Sequence, residues 1–82
     1  MIAVAPKNQP AANTKMIKQS GVEYYYQNSL LHRTTGPAVF KPGEVKYWYV
    51  QGVKHFVPST YQQMAGLSDK EMADLMVLFD GF

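Results

Sequence analysis

The sequence predicts an α+β fold: a small antiparallel meander of about four or five short strands, covered by one or two C-terminal helices and preceded by a flexible N-terminal arm. Three observations predict it. Two aromatic triplets, Tyr24-Tyr25-Tyr26 and Tyr47-Trp48-Tyr49, recur 23 residues apart inside a longer repeat. The last third of the chain changes to a helical period with capping signals around Ser68. All eleven aromatic residues lie between Tyr24 and Phe82, so the first 20 residues have none. The expected division is an arm over 1–20, a hairpin-repeat sheet over 21–58 and a helical segment over 59–82, with 21–82 as one domain.

Residues 1–20 carry Pro6, Pro10, four alanines, two asparagines and three lysines without strand or helix periodicity. A segment of this composition buries too little apolar area to offset its ordering entropy. Its functional alternative is an arm that orders on a partner, with Met1 to Val4 adding as a strand to an open sheet edge.

The repeat comes next. Val22 aligns with Val45, Tyr24 with Tyr47, Tyr26 with Tyr49 and His32 with His55. A period of this length marks a supersecondary unit that buries its apolar face against copies of itself. Each unit reads as a hairpin. The triplets have high strand propensity, and Asn28-Ser29 and Gln51-Gly52 supply two-residue turns, with Gly52 free to take a positive φ. Return strands follow over Leu30–Thr34 and Val53–Val57. Gly36-Pro37 breaks the chain between the units, Ala38–Phe40 gives a further short strand, and Lys41-Pro42-Gly43-Glu44 is a turn. Alternation puts Tyr24 and Tyr26 on one face and Tyr25 on the other, and likewise Tyr47 and Tyr49 against Trp48.

Ser59 to Gly66 reads as two turns of helix with Ser59 as N-cap. Ser68-Asp69-Lys70-Glu71 is a capping box, and Met72, Leu75, Met76 and Phe79 then form one apolar stripe that packs on the sheet. Asp80-Gly81 closes this helix.

Composition excludes several functions. An 82-residue chain buries only about 60 % of its unfolded surface, so the core is thin. The absence of cysteine removes a disulfide framework, thiolate zinc sites and a Cys nucleophile. A net charge of +2 is too mild for a polybasic protein. The charge is nevertheless divided: residues 1–58 hold seven basic and two acidic side chains, residues 59–82 one basic and four acidic. No run is long enough for a secretory signal or a membrane span, and the chain is expected to remain where it is made.

Little in the sequence suggests catalysis. His32 and His55 share one position of a repeat, which favours a structural role over an acid–base or metal pair. Ser20, Ser29, Ser59 and Ser68 lack a nucleophile-elbow context, Glu23 and Glu44 are isolated, and no phosphate-binding loop is present. The expectation is no catalytic residue, no cofactor and no metal.

Leu31-His32-Arg33-Thr34-Thr35-Gly36-Pro37-Ala38, followed by Trp48-Tyr49-Val50-Gln51-Gly52-Val53-Lys54-His55, resembles a repeat of small tailed-bacteriophage proteins, L-H-R-x-x-G-P-A and then W-Y-x-x-G-x-x-H, a variant of the MORN-type hairpin. The resemblance covers residues 24 to about 79. Ser29 replaces the first turn glycine and Phe56-Val57-Pro58 replaces the second Arg-x-x-Gly-Pro, so the array stops after one full unit and a truncated second. The resemblance implies a phage accessory protein in the cytoplasm of an infected bacterium.

Together these readings predict a non-enzymatic protein that modulates or inhibits a host bacterial protein through an aromatic sheet face. Tyr25, Trp48 and Phe40 are the expected contact patch, with Arg33 and Lys46 beside them. Which triplet positions face outward follows from where the helix packs. The alternatives are a virion component and a single-stranded nucleic-acid platform built from Tyr24, Tyr26, Tyr47, Tyr49, Lys46, Lys54 and Arg33. An exposed hairpin edge also admits a homodimer.

Overall fold

The structure, a computed structural model, describes residues 14–82. Six strands and two helices follow one another as β1 (Thr14–Gln19), β2 (Val22–Gln27), β3 (Leu30–Leu31), β4 (Val39–Lys41), β5 (Val45–Val50), β6 (Val53–His55), α1 (Pro58–Ala65) and α2 (Asp69–Leu78). The sheet is antiparallel in the order β1-β2-β4-β5-β6, with β3 also paired to β2. This is the expected α+β meander with helices at its C-terminal end.

The arm expected over 1–20 is corrected where the structure describes it. Thr14–Gln19 is a strand, registered on β2 from Thr14↔Gln27 to Gln19↔Val22. Its turn, Ser20-Gly21, has positive φ at both residues (54° and 81°), the mirror-image geometry whose twist suits a two-residue hairpin. Asn28-Ser29 (52° and 64°) and Gln51-Gly52 (51° and 80°) repeat it, so three hairpins share one turn type. The sheet begins at Thr14 instead of residue 21, and the expectation for residues 1–13, including strand addition by Met1 to Val4, lies outside the described residues.

The return strand of the first unit is short because the chain leaves the sheet. β3 and β4 both pair with β2, at Tyr26↔Leu31 and at Tyr24↔Val39, so they are two halves of one strand separated by an excursion over residues 32–38. Tyr25 keeps both rims in place, donating its N–H to the Ala38 carbonyl (2.8 Å) and accepting from the His32 N–H (2.9 Å). Similarly, β6 ends at His55 and not at Val57.

The core lies between the sheet and the helices. Trp48, Val50, Tyr61 and Met72 are buried, with Ala65, Leu67, Leu75, Met76, Phe79 and Phe82 packed around them. The predicted stripe Met72, Leu75, Met76 and Phe79 therefore faces the sheet. Phe82 stacks on Trp48 at 4.6 Å between centroids, while Tyr61 meets the same ring edge-on at 4.8 Å.

Both helix starts have local causes. The α2 capping box is formed: Glu71 N–H donates to Ser68 Oγ (3.1 Å) and Ser68 N–H to Glu71 Oε1 (2.7 Å). In α1, Val57 is the N-cap and Pro58 opens the helix, so Ser59 is not the cap. Proline at the first helical position has a suitable φ and lacks an N–H that would go unused there. The helical segment thus starts one residue before the expected boundary at 59.

Candidate interaction face

The helices take the face that carries Trp48. β-pleat alternation places Tyr25, Phe40, Lys46, Trp48 and His55 on that side, so the expected contact residues Tyr25, Phe40, Lys46 and Trp48 share the face of the sheet on which the helices pack. Trp48 is 1 % exposed and cannot meet a partner. Phe40 is half-buried, edge-on to Phe79 at 5.2 Å. Lys46 Nζ donates to the carbonyls of Phe79 (3.0 Å), Asp80 (3.3 Å) and Gly81 (3.0 Å), capping the chain as it leaves α2. Arg33 lies 3.8 Å over the Tyr25 ring and donates from Nη1 to the Pro37 carbonyl (3.1 Å). The Tyr25 hydroxyl in turn donates to Glu23 (2.8 Å); burial raises its pKa, with the Glu23 bond second. Four of the five named residues are thus engaged in holding the helix side of the fold, and the fifth, Tyr25, sits beneath Arg33.

Residues 32–38 form the excursion, and α1 holds it in place. Tyr61, from α1, donates its hydroxyl to the Arg33 carbonyl (2.6 Å), with the Gly36 carbonyl at 3.1 Å sharing the hydrogen. Burial pushes the Tyr61 phenol up to about 12, so it remains a donor. Gly36 has φ of 150° and an added Cβ would lie 2.6 Å from the Phe79 ring, so only glycine admits this close approach. Pro37 and Ala38 are buried beneath it.

The two histidines each fasten the unit that follows. His32 Nδ1 accepts the backbone N–H of Gln51 (2.9 Å) in the next hairpin's turn, and burial lowers its pKa. His55 Nδ1 meets Thr60 Oγ1 at 2.9 Å, tying the end of β6 to α1. The cross-strand pair Trp48 and His55 leaves Nε1 and Nε2 buried without a partner among the described residues. Among the described residues, no three His, Asp or Glu groups converge on a metal-sized site, and no helix is long and apolar enough to cross a membrane.

Among the described residues, the other face carries no helix. One cross-strand row runs Ile17–Tyr24–Val39–Tyr47, from β1 through β2 and β4 to β5. Beside it lie the pairs Lys15–Tyr26 and Tyr49–Lys54. Val39 is buried beneath its neighbours, whereas Ile17 is 50 % and Tyr47 44 % exposed. Lys54 Nζ sits 4.1 Å from the Tyr47 ring centroid and 5.2 Å from that of Phe56, which is 78 % exposed. Near the Asn28-Ser29 turn the face hollows into an open depression of about 500 Å³ lined by Lys15, Ile17, Tyr26, Asn28 and Ser29.

Charge separates the same way. Of the carboxylates, Glu23 lies on the helix side, Asp69, Glu71, Asp74 and Asp80 belong to α2 and its end, and Glu44 pairs with Lys41 (3.1 Å) in the β4–β5 turn. Among the described residues, Lys15 and Lys54 have no carboxylate in salt-bridge contact. The aromatic tyrosines of this face stand in the sequence-derived nucleic-acid list and not in the contact patch. Ile17, Lys15 and Phe56 appear in neither. The signal for the first two is the Ser20-Gly21 dipeptide, two residues that join Thr14–Gln19 to a strand of equal length. No protein-family model, curated protein or solved structure matches the chain.

Proposed function

We infer that this protein is a non-enzymatic interaction module whose helix-free face grips a protein surface. In the phage accessory role that the repeat implies, the partner is a host bacterial protein whose activity the module modulates or inhibits. One observation carries this reading: among the described residues, Ile17 and Tyr47 of the row Ile17–Tyr24–Val39–Tyr47 stay exposed although two helices pack on the opposite face. Tyrosine with flanking aliphatic and cationic groups is the composition of interface hot spots. Rigid tyrosines also lose little side-chain entropy on binding.

The test is affinity capture from bacterial cells with the wild-type chain, a Tyr24→Ser/Tyr47→Ser variant and a Met64→Ser control on α1. The expected result is one host protein retained by wild type and control and lost with the double variant. Retention by all three would reject the face, and recovery of phage particle proteins alone would move the assignment to a virion component.

A second reading rests on Lys15 and Lys54, which flank the tyrosines on a face with no carboxylate among its central residues. Such a surface suits stacked single-stranded bases. Titration with a labelled single-stranded oligonucleotide distinguishes it, because phosphate contacts make affinity fall steeply with salt. The protein-partner reading expects no salt-dependent oligonucleotide binding.

A further inference from the structure

β1 is the one long open edge of the sheet among the described residues. It pairs on one side only, with β2. The other edge, β6, has three residues and is fastened to α1 through His55 and Thr60. No proline interrupts Thr14–Gln19, and five of its six side chains are exposed, Met16 at 49 % and Ile17 at 50 %. A strand of this kind is a template for another strand.

Which backbone groups are available follows from the hairpin. Gln19 and Val22 flank a two-residue turn and so exchange both hydrogen bonds. By alternation Ile17 and Lys15 also turn their N–H and C=O groups toward β2. The parity is consistent on β2, where Tyr25 directs its backbone groups away from β1, to Ala38 and His32. Thr14, Met16 and Lys18 therefore aim their N–H and C=O groups outward.

We propose that the protein forms a two-fold dimer in which β1 pairs antiparallel with β1 of a second copy, centred on Met16. A two-fold axis perpendicular to the sheet keeps the helix-free face on the same side in both copies, so only residues of equal parity can oppose one another. Centred on Met16, the pairing sets Met16 against Met16, Thr14 against Lys18 and Lys15 against Ile17, and every outward-facing group of those residues finds a partner. A centre at Ile17 also keeps lysines apart but engages only Met16 and Lys18. Centres at Lys15 or Lys18 bring identical charges face to face, which disfavours them. The lysines therefore exclude two registers, and the larger set of engaged backbone groups selects Met16 over Ile17. The short, covered β6 edge denies a head-to-tail chain, so assembly closes at two copies. This inference is independent of what the tyrosine face binds.

The chain contains no cysteine, so a substitution supplies its only thiol. In the full-length Met16→Cys protein, the two thiols would sit on a hydrogen-bonded cross-strand pair with Cα atoms about 5.5 Å apart, within the range a disulfide spans. Mild oxidation should give a covalent dimer at least about tenfold faster than in Tyr47→Cys, whose thiol lies on the exposed face away from the axis. Sedimentation should show the wild type as a concentration-dependent dimer and Met16→Lys as a monomer with an unchanged circular dichroism spectrum. Met16→Pro, which removes an outward N–H but no bond to β2, should also be monomeric. Either variant that folds suffices. A monomeric wild type at its highest attainable concentration, equal cross-linking of both cysteine variants, or a folded variant that stays dimeric overturns the proposal.

Discussion

Tyr61 joins α1 to the excursion through one hydroxyl, and that bond makes a clean probe of the architecture. Tyr61→Phe keeps the ring against Trp48 and removes the donor shared by the Arg33 and Gly36 carbonyls. Leaving buried acceptors without their donor costs about 1–3 kcal/mol. Thermal unfolding followed through Trp48, the single tryptophan, should show a lower midpoint, by about 4–8 °C per kcal/mol in a domain of this size. His32 gives a pH-dependent counterpart. Its neutral ring accepts the Gln51 N–H, and burial sets its folded pKa below the ordinary 6.5. The unfolded chain therefore takes up the proton first. The contribution is complete above about pH 6.5 and is lost as pH falls through the lower folded value. His32→Gln should flatten this part of the stability profile, measured by urea unfolding between pH 7.5 and 5.5 (about one unit either side of the ordinary value).

Elements show where the sequence speaks and where it stops. The triplets alternate cleanly and the turns between them are short, so strands β2, β4, β5 and β6 are legible from periodicity and turn chemistry. The α2 capping box is equally local, four residues of sequence carrying two hydrogen bonds. β1 is not legible in the same way, because Thr14–Gln19 has no aromatic residue and gains its order from pairing with β2. The 32–38 excursion is invisible locally, since its partners Tyr61 and Phe79 are far away in the chain. Turn chemistry also yields a stabilising substitution. Ser29 holds φ of 64° in an exposed turn, a conformation disfavoured for side chains with a Cβ. Ser29→Gly should raise stability by about 0.5–1 kcal/mol, the relief of backbone strain exceeding glycine's greater unfolded entropy. The readout is a higher urea midpoint with an unchanged slope.

At the scale of the whole molecule, both faces of the sheet are aromatic, and local sequence cannot say which one the helices cover. The choice is made by long-range contacts. Trp48 packs with Tyr61, Phe79 and Phe82, the excursion folds onto the same side, and Lys46 caps the end of α2 from that face. Tyr24, Tyr26, Tyr47 and Tyr49 are left together on the opposite side with Lys15 and Lys54, away from the acidic helix. Helix side and tyrosine side are thus complementary products of one packing decision, which explains why Trp48, Phe40 and Lys46 lie on the helix side while Tyr24, Tyr26, Tyr47 and Tyr49 lie on the other.

Site-specific photo-crosslinking in bacterial cells tests that account most directly. A photoreactive residue replaces Tyr47 on the helix-free face in one protein and Met64, which is 56 % exposed on α1, in another. The account predicts a discrete adduct with one bacterial protein from position 47 and none from position 64. An adduct from position 64 with none from position 47 would contradict it.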